Sequence, residues 1–195
     1  MLLLASRSAS RAAMLAAAGV AFDTWPAAVD ERALEAAMED SSPDEVAQAL
    51  AAAKAAAVPA AMAGERLVLG SDSLVVVDGH RFDKPADREE AAAHLRRFSG
   101  RVMDLHSAAA LVRRGRVEWV GHDVARLWVR SLSDTFISAY LDAEWPHVGA
   151  CAGCFRIEGR GVQLFDRIAG SHFTVLGMPL LAVLRALREM GELPA

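Results

Sequence analysis

A run of buried-type residues interrupted by one acid constrains this chain more than any other stretch. Leu67-Val68-Leu69 has the length and composition of a buried strand, and Leu74-Val75-Val76-Val77 reads as the next one. Between them stands Gly70-Ser71-Asp72-Ser73, which places Asp72 at the end of the first strand. Asp78-Gly79 is a tight-turn signal, and Lys84 then emerges just ahead of Pro85, whose ring fixes the local backbone. An acid and a base are thus expected at opposite ends of one hairpin-like unit, able to share a cleft. Open α/β sheets bind ligands beyond strand ends in this way. A plainer reading fits the same residues: Asp72 caps a turn and Lys84 is a solvated charge.

The chain of 195 residues is expected to form a single domain spanning 1–195, with two lobes at most, and it is long enough for a sizeable core. At 53% hydrophobic and 24% charged it has the composition of a globular protein rather than a disordered one. A net charge of −4 argues against a broad surface for nucleic acid or anionic membrane, while leaving room for a local basic pocket. No apolar run approaches a membrane span, and Met1-Leu2-Leu3-Leu4-Ala5 is too short for a signal segment, so a cytoplasmic location is expected. The two cysteines sit as Cys151-Ala-Gly-Cys154. There is no second pair to complete a zinc site, and Phe155-Arg156-Ile157 reads as strand rather than the helix of a thioredoxin-type motif, so both are read as structural.

At the N-terminus a short strand, Met1 to Ala5, runs through Ser6-Arg7-Ser8-Ala9-Ser10-Arg11 into an alanine-rich helix ending near Gly19. Strand, hydroxyl-rich turn and helix together aim backbone N–H groups and a helix dipole at an anion. Ser6, Ser8 and Ser10 add hydroxyl donors, and Arg11 adds a planar fork suited to phosphate oxygens. The competing reading is an ordinary serine cap beside a surface arginine. A second strand is expected over Ala21 to Trp25, then an acidic element at Val29-Asp30-Glu31 ahead of a helical stretch. Ser42-Pro43-Asp44-Glu45 is a capping box that opens a helix to about Val58, in which Lys54 is the one cation between Ala49 and Ala57. Such a lysine normally reaches for water, and it gains interest only if its helix borders a cleft. Further helices are expected from Asp87 to Phe98, after Ser133 and over Leu180 to Met190. Paired strands are expected over Val102 to Val112 and Val117 to Val129, and a glycine-rich, loop-like region begins at Gly149.

Taken in order, these clusters resemble the Maf family of nucleotide pyrophosphatases, relatives of the inosine-triphosphate pyrophosphatase fold, over essentially the whole chain. Leu4-Ala5-Ser6-Arg7-Ser8-Ala9-Ser10-Arg11 matches the family's opening motif, Val29-Asp30-Glu31 its acidic element and Gly70-Ser71-Asp72-Ser73 its Gly-(Ala/Ser)-Asp-Thr. Asp83-Lys84-Pro85 matches its Lys-Pro step, and the stretch from Ile168 to Leu180 its Gly-Leu-Pro-Leu segment. The resemblance implies a mixed, twisted α/β sheet with flanking helices, in two lobes around a central cleft. It also implies hydrolysis of a nucleoside triphosphate between the α and β phosphates, with a divalent cation, Mg²⁺ or Mn²⁺. Asp72 would accept the proton of the attacking water or hold metal, and Glu31 would help to hold metal. Ser8 and Arg11 would hold phosphates, and Lys54 and Lys84 would neutralise their charge. Homodimerisation is suggested by the family alone. The physics agrees, since displacement at phosphorus needs neutralised charge and an oriented water more than a covalent nucleophile, and a hard cation prefers carboxylate and phosphate oxygens.

Departures from the pattern bear on the base. Ser10 stands where many members have arginine, Ser73 where many have threonine, and Glu158 where pyrimidine-specific members have glutamine. In the family these three positions discriminate bases. An ionised glutamate only accepts hydrogen bonds, so Glu158 is able to take the adjacent N1–H and N2–H of guanine together. The glutamate resembles the branch acting on 7-methyl-GTP, although Ser10 replaces that branch's stacking tryptophan. The alternative for Glu158 is a plain surface carboxylate. Met103 replaces a common histidine and Cys151 a common lysine. A rival reading of the whole is a regulator of septum formation that binds nucleotide with little turnover. The joint presence of Asp72, Lys84 and Glu31 favours the enzyme. A kinase-like transferase is disfavoured by the lack of a P-loop.

Overall fold

The computed structural model describes residues 1–26 and 28–194. Strands are β1 (Leu2–Leu4), β2 (Phe22–Thr24), β3 (Val68–Val77), β4 (His80–Phe82), β5 (Val102–Arg113), β6 (Arg116–Val129) and β7 (Phe165–Ala169). Helices are α1 (Ala9–Ala17), α2 (Glu31–Ala36), α3 (Pro43–Ala56), α4 (Ala60–Ala63), α5 (Arg88–Phe98), α6 (Asp134–Glu144), α7 (His172–Val175) and α8 (Leu180–Glu189). The strands form a seven-stranded mixed sheet of order β2-β1-β3-β5-β6-β7 with β4 on β3. The chain divides into two compact units, one of residues 1–73, 106–123 and 171–195, the other of residues 74–105 and 124–170. The mixed α/β sheet with flanking helices is the fold expected. Among the described residues no helix is long and apolar enough to cross a membrane.

The first unit follows from strands buried on both faces. β1 pairs in parallel with β2 and with β3, Leu3 lying opposite Val68 and Leu4 opposite Leu69. Side chains alternate across a strand, so Leu2, Leu4, Leu67 and Leu69 join Met14, Leu15, Met178, Val183 and Leu187 in one core beneath α1 and α8. Leu3, Ala5 and Val68 point the other way and meet Ala55, Val58 and Ala63 in a second core. α3 starts as its sequence requires: Ser42 accepts from Glu45 N, the Glu45 side chain accepts from Ser42 N, and Pro43 sits where no N–H is needed.

The largest correction concerns β3. Gly70-Ser71-Asp72-Ser73 does not separate two strands; it is the middle of one ten-residue strand, so Asp72 lies within β3 rather than at a strand end. The parity of that strand then sorts the chemistry. Gly70 and Asp72 share the Val68 face toward α3, while Ser71 and Ser73 share the Leu69 face. Gly70 is there because α3 lies almost on the strand: a Cβ would fall 2.0 Å from Ala51 O and 2.7 Å from Ala55 N. Backbone atoms have no means of yielding as a flexible side chain does. Gly70→Ala is expected to cost about 3 kcal/mol or more, read as a lower urea midpoint; an unchanged midpoint would refute this close approach.

In the second unit, the hairpin turn predicted at Asp78-Gly79 is present. Both residues have positive φ, 51° and 74°, and Val77 pairs with His80. α5 and α6 begin with Asp87 and Ser133 as side-chain caps. Phe98, Leu95, Ile137 and Leu141 are buried from these two helices, and Arg96 Nε bonds Asp134 Oδ1 at 2.6 Å. The strand expected over Phe155-Arg156-Ile157 is not formed; residues 155–159 make an irregular turn. The nearby strand is β7, antiparallel to β6 with Leu127 opposite Ile168.

Candidate active site

In the first unit, Lys54 is the centre of the arrangement. On α3 it stands four residues after Leu50 and three after Ala51, both fully buried against the strands, so its stem starts on the sheet-facing side. It does not reach for bulk water: its side chain is 14% exposed, and Nζ sits 2.5 Å from Asp72 Oδ1 and 2.9 Å from Glu31 Oε1. Glu31 opens α2, behind the Asp30 cap that accepts from Ala33 N. Three segments distant in sequence therefore meet as carboxylate, ammonium, carboxylate. Asp72 is buried and Glu31 half-exposed. Oδ2 of Asp72 has no hydrogen-bond partner among the described residues and is available to another group.

The opposite face of β3 carries a hydroxyl network. Ser71 Oγ lies 2.8 Å from Ala108 O and 3.1 Å from Gly177 O. Ser73 Oγ lies 2.8 Å from Ser107 Oγ and 3.0 Å from Gly177 O, and Ser107 Oγ donates to Thr174 O at 2.9 Å. With the Ser107 proton on Thr174 O, the single Ser73 proton is left to Ser107 Oγ or Gly177 O, both within hydrogen-bond reach. Arg11 closes the network: Nε donates to Gly177 O at 2.9 Å and Nη2 to Ser73 Oγ at 3.3 Å. Burial lowers the guanidinium's hold on its proton, an effect opposed by the Asp72 and Glu31 charges. Gly177 has φ 98°, a backbone that favours glycine, and a Cβ there would come within 3.2 Å of Ser73 Oγ.

Ser8 is the N-cap of α1, its hydroxyl accepting from Arg11 N at 3.3 Å. Ser6 Oγ accepts from Ser8 N at 3.1 Å. Ser10 is half-exposed in the first turn. Seven predicted residues, Ser8, Ser10, Arg11, Glu31, Lys54, Asp72 and Ser73, belong to the first unit; ion pairs join Glu31, Lys54 and Asp72, and hydrogen bonds join Ser8, Arg11 and Ser73. Ser107 and Gly177 were not anticipated. Gly177 sits in the matching C-terminal motif, which was the available signal; nothing in the sequence marked Ser107.

Lys84 and Glu158 belong to the second unit, and both are exposed. Burial pushes the Cys151 thiol up in pKa, with the Glu158 charge adding to the rise and the Lys84 charge opposing it. Cys154 is fully buried and pushed up to about 12, chiefly by burial. Both cysteines are free thiols, and this environment disfavours the reactive thiolate. Met103 is a core residue, 1% exposed, its sulfur 3.5 Å from where a Cβ on Gly153 would stand.

Among the described residues no three of His, Cys, Asp and Glu come together as a ready metal cage. The donor chemistry still fits a hard cation brought with a polyphosphate. Magnesium is commonly held by one or two carboxylates, with phosphate oxygens and water completing the octahedron. Glu31 and Asp72, both paired with the Lys54 ammonium, are the carboxylates placed to offer that pair.

The first unit thus carries an acid–lysine–acid centre on the sheet and a serine-capped helix whose arginine is bonded to Gly177 O. The chain belongs to the Maf-like protein family, whose model matches residues 1–190. It is 45% identical over 195 residues to a protein of Sphingopyxis alaskensis called nucleoside triphosphate pyrophosphatase, covering 99% of this chain and 98% of that one. It is 46% identical over 197 residues to a protein of Rhizobium meliloti called 7-methyl-GTP pyrophosphatase, covering 100% and 98%.

Proposed function

We propose that this chain is a nucleoside triphosphate pyrophosphatase, cleaving the α–β anhydride to release a nucleoside monophosphate and pyrophosphate. The observation that carries the reading is Lys54 held between Asp72 and Glu31, with the Arg11 guanidinium in their field. Full-length relatives named for this activity support it. A water oxygen bonds to phosphorus as the bridging P–O bond breaks, and Asp72 takes the water's proton on its free Oδ2. Lys54 and Arg11 neutralise the phosphate oxygens, and Ser8 donates its hydroxyl to them. The family resemblance gives Lys84 the same neutralising role. Glu31 and Asp72 would hold Mg²⁺ or Mn²⁺, which supplies further charge neutralisation at the phosphates when bound.

For the base, we favour a guanine type, with 7-methyl-GTP as the leading substrate. Glu158 is exposed and offers two acceptor oxygens to N1–H and N2–H, and one close relative is named for that nucleotide. A cytoplasmic setting, expected from the sequence, and a homodimer, carried by the family resemblance, complete the reading.

Initial rates on 7-methyl-GTP, GTP, UTP, dTTP and 5-methyl-UTP with Mg²⁺ or Mn²⁺ test it. Pyrophosphate and monophosphate should appear in equal amounts, fastest from a guanine nucleotide. Orthophosphate with a diphosphate would refute the cleavage position. Tight binding without turnover would favour the regulator.

A further inference from the structure

Glu144 is one of few buried charged side chains, 5% exposed in the last turn of α6. A carboxylate taken out of water needs a partner, and its partner is Arg156, whose Nη2 donates to Glu144 Oε2 at 3.0 Å. Arg156 belongs to no helix or strand. Its carbonyl accepts from Gly159 N at 3.1 Å, closing a turn that has Glu158 at its third position. The chain then folds back so tightly that a Cβ on Gly161 would meet Arg156 O at 2.5 Å and Arg156 N at 2.7 Å. A Cβ on Gly159 would stand 3.6 Å from Arg156 Nη2 and 3.8 Å from Glu144 Oε2, so this ion pair packs against the residue that follows the exposed Glu158, and the Glu158 charge acts on the guanidinium through its field. Arg156 Nε is buried with no hydrogen-bond partner among the described residues, so the fork is not saturated where it sits.

We propose that Glu144 sets base selectivity by holding the Arg156 guanidinium off the Glu158 carboxylate. The inference rests on Glu158 reading the base. A guanidinium fork matches a carboxylate through two parallel N–H donors, the same two oxygens that guanine N1–H and N2–H require. Release from Glu144 makes Arg156 an internal competitor for them. Glu144 is a positioning residue in this scheme, and the nucleotide never touches it.

The test compares kcat and KM for 7-methyl-GTP and UTP in wild type, Glu158→Gln, Glu144→Gln and Glu144→Gln/Arg156→Gln. Glu144→Gln keeps the shape of the side chain, and the double variant leaves no buried charge unpaired. Circular dichroism verifies that each variant folds. The kcat/KM preference for 7-methyl-GTP over UTP should fall roughly tenfold or more in Glu144→Gln, the loss of one two-pronged contact, with the change in KM. The double variant should regain it, because the competitor is gone. Unchanged preference in Glu158→Gln would overturn the base reading, and this inference with it. A fall in Glu158→Gln but none in Glu144→Gln would overturn the inference alone. Equal losses on both nucleotides without rescue would mark a purely structural pair and also overturn it.

Discussion

Asp72→Asn should lower pyrophosphate release by roughly 10²–10⁴-fold, the usual contribution of a positioned general base, while nucleotide affinity changes by less than about tenfold. The substitution keeps the shape of the side chain and an oxygen for Lys54, but the group no longer takes a proton from water. Asp72 is buried within β3, fixed by its bond to Lys54, so the variant should keep its fold. Equilibrium binding of a non-hydrolysable nucleotide, beside initial rates, separates the two effects. Wild-type turnover in this variant would remove Asp72 from the reaction. A collapse of affinity equal to the loss of rate would instead make it chiefly a metal ligand, since the nucleotide would then have lost its cation.

Lys54→Met should be nearly as damaging, and by a different route. Lys54 is the only group bonded to both Asp72 and Glu31 among the described residues. Without it, two negative groups face an incoming polyphosphate with nothing between them. Loss of one donor aimed at developing charge typically costs about 10²–10³ in rate, and here the lost donor is also a full charge. kcat/KM should therefore fall by at least roughly that factor, with KM rising as well as kcat falling. Lys54→Arg should recover only part of the activity: it restores the charge, but a planar fork replaces a compact point charge at a side chain that is only 14% exposed. Full recovery in the arginine variant would mean that charge alone matters at this position. Unimpaired turnover in Lys54→Met would refute its placement at the phosphates.

The sequence made some parts of this arrangement readable and hid others, for physical reasons. The cap of α3 at Ser42-Pro43, the turn at Asp78-Gly79 and the strand–serine–helix opening depend on local chemistry, and all three are where they were expected. The continuity of β3 was hidden. Glycine, serine and aspartate are poor strand formers that favour turns, yet packing against α3 on one face and hydroxyl pairing on the other carry the strand straight through them. Lys54 was hidden as a centre for a related reason. On an alanine-rich helix only Val46 and Leu50, eight and four residues before Lys54, mark the side that faces the sheet, and Gly70 on a distant strand admits that helix so close. Phe155-Arg156-Ile157 has the alternation of a strand, but Arg156 is committed to Glu144 and to the turn at Gly159. β7 was missed because Asp166 and Arg167 dilute its apolar pattern, as suits a strand at the sheet's edge.

The alternation along β3 limits how this protein is able to change. A substitution between Val68 and Ser73 alters one contact, whereas adding or losing a single residue there would swap every later side chain to the other surface of the sheet. The acid would be carried round to the glycine carbonyl and the hydroxyls brought against the ammonium. Drift among relatives should therefore show exchanged side chains in this stretch but a constant number of residues, with length variation confined to segments such as the connection between α3 and β3.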